Sequence, residues 1–105
     1  MAEVREVANH RLTDDEVRKR FAKAVEQYRK EYPGYKIDTT WKSPTKVEVF
    51  LKMTPMLTLK GVVTLTPGQL LFVVEYPNAF KAFSGAVAEY VQAFRDEVKK
   101  HLEAP

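Results

Sequence analysis

Between Lys46 and Tyr76 apolar and polar residues alternate, and no other feature of the chain restricts its fold as strongly. Val47, Val49, Leu51 and Met53 share one side; after a break at Thr54-Pro55, Leu57, Leu59, Val63 and Leu65 continue it. A second break, Thr66-Pro67-Gly68-Gln69, leads to Leu70, Phe72, Val74 and Tyr76. Successive side chains of a strand point to opposite faces, so each run gives one face to a core. Pro67-Gly68 suits the centre of a type II turn, where proline presets the first φ and glycine accepts a positive second one. The segment therefore predicts successive strands joined as hairpins.

The flanking segments read as helices with shorter strands. Val4 to Ala8 is a short first strand. Thr13 is placed as the N-cap of helix one, with Glu16 completing a capping box and Leu12 and Val17 set for a hydrophobic staple. Asp14, Asp15 and Glu16 put negative charge at the positive helix end. Val17, Phe21, Ala24, Val25 and Tyr28 form its apolar stripe, Asp15–Lys19, Glu16–Arg20 and Glu26–Lys30 are i,i+4 pairs, and Pro33-Gly34 ends it near Tyr32. Tyr35, Ile37, Thr39 and Trp41 then alternate as a strand with a core-facing side. Pro77-Asn78 stops the last strand and offers an N-cap for a helix running to about Leu102. Phe80, Phe83, Val87, Tyr90, Val91, Phe94, Val98 and Leu102 line one side of that helix, with Asp96–Lys100 paired on the other. Gly85 inside it marks either a close backbone contact or a tolerated defect. The order β-α-β-β-β-β-α predicts an α+β protein: an antiparallel sheet of roughly four to five strands with both helices on one face.

Size and composition limit the function classes. A chain of 105 residues suits one domain, residues 1–105, with one core. Hydrophobic residues make up 45% and charged residues 30%, which places it with soluble globular proteins. No apolar run approaches the roughly 20 residues that span a bilayer, and the N-terminus has no signal-type segment, so the cytoplasm is the expected compartment. The absence of cysteine removes disulfides, thiolate metal sites and a cysteine nucleophile. His10 and His101 lie in opposite terminal elements, with no metal-ligand spacing around them. Four glycines build no phosphate-cradling loop, and Ser43 and Ser84 occupy no nucleophile elbow. Glu48 and Glu75 are expected on the face away from the core. No catalytic residue, metal ligand or cofactor site is expected, and the chain reads as a non-enzyme.

Function has to be sought in an anomaly of the strands. The face opposite the core carries Phe50, Val62, Leu71 and Val73 among Lys52, Lys60, Glu48 and Glu75. A contiguous apolar patch of several hundred Å2 usually marks an interaction site. Phe50, Val62, Leu71, Val73, Lys52 and Lys60 are therefore the candidate surface, suited to a homodimer, a protein partner or an apolar particle. An alternative is a carrier that holds a hydrophobic small molecule between the C-terminal helix and the sheet, against Met53, Met56, Phe72 and Phe94. A weaker third is nucleic-acid binding through Arg18, Lys19, Arg20 and Lys23, whose acidic neighbours make a solvated helix face the better explanation.

The run Asn9-His10-Arg11-Leu12-Thr13-Asp14-Asp15-Glu16, the Tyr35-to-Trp41 strand, Gly61-Val62-Val63 and the closing amphipathic helix resemble the small polyhydroxyalkanoic acid system proteins of bacteria. The likeness spans Val7 to Leu102; the proline-interrupted segment from Lys52 to Leu59 departs from it. The resemblance implies association with polyester storage granules or with their genes, and it carries no catalytic residue onto this chain.

Overall fold

A computed structural model describes residues 2–55 and 57–105. Its elements, in order, are β1 (Ala2–Asn9), α1 (Asp14–Glu31), β2 (Lys36–Ser43), β3 (Lys46–Thr54), β4 (Leu57–Thr66), β5 (Gln69–Tyr76), a 3-10 helix (Asn78–Phe83) and α2 (Ser84–Glu103). The strands form one antiparallel sheet in the order β1-β5-β4-β3-β2. Four of them follow one another as hairpins, and β1 joins the free edge of β5. Both helices cover the same face, as the alternation predicts.

The core follows from the two periodicities meeting. Val47, Val49 and Leu51 from β3, Leu59, Val63 and Leu65 from β4, and Leu70, Phe72 and Tyr76 from β5 are buried beneath the helices. Above them lie Val17, Phe21, Ala24, Val25 and Tyr28 from α1, with Val87, Val91, Phe94, Val98 and Leu102 from α2. Phe94 is the hub. Its ring meets those of Phe21, Tyr28 and Phe72 edge to face at 6.1, 5.3 and 6.1 Å between centroids, the arrangement that ring quadrupoles favour.

Polar contacts fix the helices to the sheet and to each other. Thr13 Oγ1 accepts from the Glu16 backbone N–H at 3.3 Å, while the Glu16 carboxylate accepts from Arg20 Nε at 3.0 Å. Arg20 reaches across to the C-terminal carbonyls of α2. Arg29 donates to the Ile37 carbonyl from Nε and Nη2, tying α1 to β2. Arg95 pairs with Glu6 at 3.2 Å, tying α2 to β1. The β4–β5 turn has Gly68 at φ 80°, the positive value expected of the glycine in Pro67-Gly68.

Several expectations are corrected. Phe83 is 59% exposed, because residues 78–83 wind as a 3-10 helix and the α-helical spacing does not extend across them. Pro77, not Asn78, precedes that helix, and no side chain caps it. Trp41 is 38% exposed: it lies on an edge strand and covers Phe21 edge-on, at 6.0 Å, instead of entering the core. Tyr35 is only half-buried. Gly85 has open space around it, so no close backbone contact explains it. Asp15 pairs with Arg18, Glu26 with Arg29 and Asp96 with Arg95, where lysine partners were expected.

Candidate interaction surface

The register decides what the uncovered face looks like. Residues that follow the core positions by one point away from the helices. On β1 these are Glu3, Arg5, Val7 and Asn9; on β5, Gln69, Leu71, Val73 and Glu75; on β4, Thr58, Lys60, Val62, Thr64 and Thr66. On β3 they are Lys46, Glu48, Phe50 and Lys52.

Val7 lies opposite Leu71, and Val73 lies opposite Val62. Leu71 and Val73 are next neighbours on their face of β5, and Phe50 sits one step diagonally from Val62, across from Lys60. The apolar side chains therefore form one continuous stripe that crosses the sheet from β1 to β3. Phe50 and Val7 stand most clear of their neighbours, at 37% and 39% exposure; Val62, Leu71 and Val73 are half-buried because adjacent strands shade them. The structure thus brings Phe50, Val62, Leu71 and Val73 together and leaves them uncovered. Val7 belongs with them and was missed, because the weak alternation of the first strand hid which face it takes.

The rim is charged and uneven. Lys60 Nζ lies 5.9 Å from the centroid of the Phe50 ring, within cation–π range. Lys52 stands directly opposite Lys36, a like-charge pairing that costs stability. Among the described residues, no salt bridge engages Lys36, Lys52 or Lys60. Phe50 thus lies between Lys52 and Lys60, with Asp38 directly opposite it and Glu75 opposite Lys60. Elsewhere on this face Arg5 pairs with Glu3 and Lys42 with Glu48.

The other candidates are accounted for structurally. Arg18 donates to the Pro44 carbonyl and pairs with Asp15, and Arg20 is committed to Glu16 and the end of α2. Half of the proposed phosphate-binding patch is thereby tied into the fold. Glu48 and Glu75 face Val62 and Lys60 across the strands and do not pair with each other. His10 Nδ1 accepts from the Leu12 backbone N–H, and His101 pairs with Glu97 at 3.2 Å. No group of three metal-ligating side chains converges among the described residues. No helix among them is long and apolar enough to cross a membrane.

Between α2 and the sheet lies a narrow apolar cleft walled by Phe72, Phe94, Val49, Val74 and Tyr90, with Gly61 in its floor. Phe72 and Phe94 stand where a carrier site was expected. Met56 and the Met53 side chain lie outside the described residues.

These features define a class: an α+β protein with one helix-covered sheet face and one bare face, and no group of three metal-ligating side chains among the described residues. The chain belongs to the family described as putative polyhydroxyalkanoic acid system protein, whose model matches residues 7–102. No curated protein matches it. Among solved structures, it is similar to the di-domain ARO/CYC BexL from the BE-7585A biosynthetic pathway, with a TM-score of 0.55 and 12% identity. That likeness covers 99% of this chain and 50% of the solved one, so the chain spans half of that protein. At this identity the likeness is one of fold.

Proposed function

We propose that this protein is a non-enzymatic, cytoplasmic component of a polyester storage system that docks on the granule surface through its bare sheet face. The observation that carries the proposal is the continuous stripe Val7, Leu71, Val73, Val62 and Phe50, laid side by side by the strand register. Family membership supplies the polyester. Covering the stripe removes apolar surface from water, at roughly 25 cal/mol per Å2. The unpaired lysines Lys52 and Lys60 beside it suit the carboxylate chain ends that such a polyester exposes. The bare face needs no reacting group for this role.

The test is co-sedimentation with poly(3-hydroxybutyrate) particles. Wild-type protein pellets with the particles. The double variant Phe50→Glu/Leu71→Glu stays in solution while keeping its circular dichroism spectrum and cooperative melting. Equal pelleting of the two proteins overturns the proposal. So does a homodimer that the same variant abolishes in concentration-dependent light scattering, if wild-type protein ignores the particles.

A further inference from the structure

One border of the sheet is β2, which pairs with β3 alone. Along it only Ile37 is buried, and Asp38, Thr40, Trp41 and Lys42 are exposed. An edge strand presents a row of free backbone N–H and C=O groups, a template for another strand. The Ile37 carbonyl shows which residues present theirs. It accepts from both Nε and Nη2 of Arg29, so its two lone pairs are occupied and neither serves β3. Ile37 therefore turns its backbone groups outward, and by alternation so do Thr39 and Trp41. Past Trp41 a bulge ends the regular ladder. The open stretch is thus short, bounded by the arginine-held carbonyl and the bulge.

The charges along this stretch select a second copy of the same strand as its occupant. Outward-turned residues have to face outward-turned residues, so the axis of an antiparallel pair of identical strands passes through a residue. An axis at Asp38 sets that carboxylate against itself, and one at Thr39 sets Lys36 against Lys42; both are repulsive. An axis at Ile37 sets Lys36 against Asp38 but needs the carbonyl that Arg29 already holds. An axis at Trp41 brings no opposite charges together. An axis at Thr40 places Asp38 opposite the partner's Lys42 on both sides, and Trp41 opposite the partner's Thr39. Among the described residues no salt bridge engages Asp38, and Lys42 reaches its own Glu48 only at 3.9 Å. Both are thus available to a partner, and the exposed Trp41 ring gains a β-branched neighbour.

We propose that this protein forms a symmetric dimer through β2, with the axis at Thr40 and an Asp38–Lys42 ion pair on either side. The two five-stranded sheets join edge to edge. The axis stands perpendicular to the sheet, so the bare faces of both copies look the same way. The pairing uses edge groups alone and is independent of what the bare face binds.

A chain without cysteine gives a clean crosslinking test. Thr40→Cys puts a thiol on the axis, close to the same thiol of the partner and within reach of a disulfide. Pairing raises the local thiol concentration, so diamide oxidation gives dimer on non-reducing gels roughly tenfold faster than for Arg5→Cys, exposed on the opposite edge strand. Analytical ultracentrifugation tests the charges. Wild type shows a monomer–dimer equilibrium, which Asp38→Lys and Lys42→Asp each weaken roughly tenfold. The combined swap restores opposite charges across the axis and recovers the dimer, with circular dichroism checking that each variant keeps the fold. Equal crosslinking of the two cysteine variants, a wild type that stays monomeric at every concentration, or a swap no better than its single parents overturns the proposal.

Discussion

Arg20, in the second turn of α1, donates from Nη1 to the carbonyl oxygen of Leu102 in the last turn of α2, at 3.1 Å. The same nitrogen reaches the carbonyls of His101, at 3.0 Å, and Ala104. Carbonyls at a helix C-terminus have no partner within the helix and carry partial negative charge. A guanidinium from the neighbouring helix satisfies them, so the basic run on α1 is part of the device that joins the helices. Arg20→Ala is expected to lower stability by about 1.5–3 kcal/mol, the scale of hydrogen bonds to a charged group. Denaturant unfolding measures this. Lys23→Ala on the same helix leaves stability within about 0.5 kcal/mol, as surface changes do.

Glu16 gives the fold a dependence on acid. Its hydrogen bond with Arg20 holds its carboxyl below the ordinary glutamate value, assisted by the charges of Arg20, Lys19 and Lys23 and opposed by partial desolvation. A pKa lower in the folded than in the unfolded chain means that the contribution is fully present above the unfolded value. It is lost as pH falls through the folded one. The stability difference between wild type and Glu16→Gln is therefore constant near neutral pH and shrinks once pH drops below the usual glutamate range. Thermal melts from pH 7 to pH 3 follow it; a difference that grows toward acid contradicts this linkage.

Gly68 holds φ at 80° in the two-residue β4–β5 turn. A side chain at that φ meets the following carbonyl, so Gly68→Ala is expected to cost about 1–2 kcal/mol. Gly34→Ala, at a position with open space and no positive φ, serves as the control and is expected to be neutral or slightly stabilising. Equilibrium unfolding of the pair separates backbone strain from loss of a glycine as such.

Element order and the helix-covered face were readable because period two and helical spacing each repeat over many residues. The Thr13 cap was readable because a hydroxyl at that place has one evident backbone partner. Signals ran out where geometry depends on partners distant in the chain. Nothing local to Trp41 shows that β2 is an edge strand, so its exposure was hidden. The 3-10 winding before Ser84 shifted Phe83 out of the stripe that its spacing predicted. Within the bare face, Phe50, Val62, Leu71 and Val73 were identifiable as exceptions to alternation. That they touch one another, and that Val7 extends them, follows only from the pairings of β1, β5, β4 and β3. Gly61 is legible in the sequence as part of a family likeness, but its place in the cleft floor needs α2 above it.

The central claim is that the bare face of the sheet meets the granule, and lysine reactivity on particle-bound protein tests it most directly. Lys36, Lys52 and Lys60 are exposed on that face, whereas Lys19, Lys23, Lys99 and Lys100 are exposed on the helices. An amine-reactive label, applied to free protein and to protein bound on poly(3-hydroxybutyrate) particles, is read residue by residue by mass spectrometry. Strong protection of Lys36, Lys52 and Lys60 with unchanged labelling of the helix lysines is the predicted result. Protection of the helix lysines with the sheet lysines still reactive contradicts it.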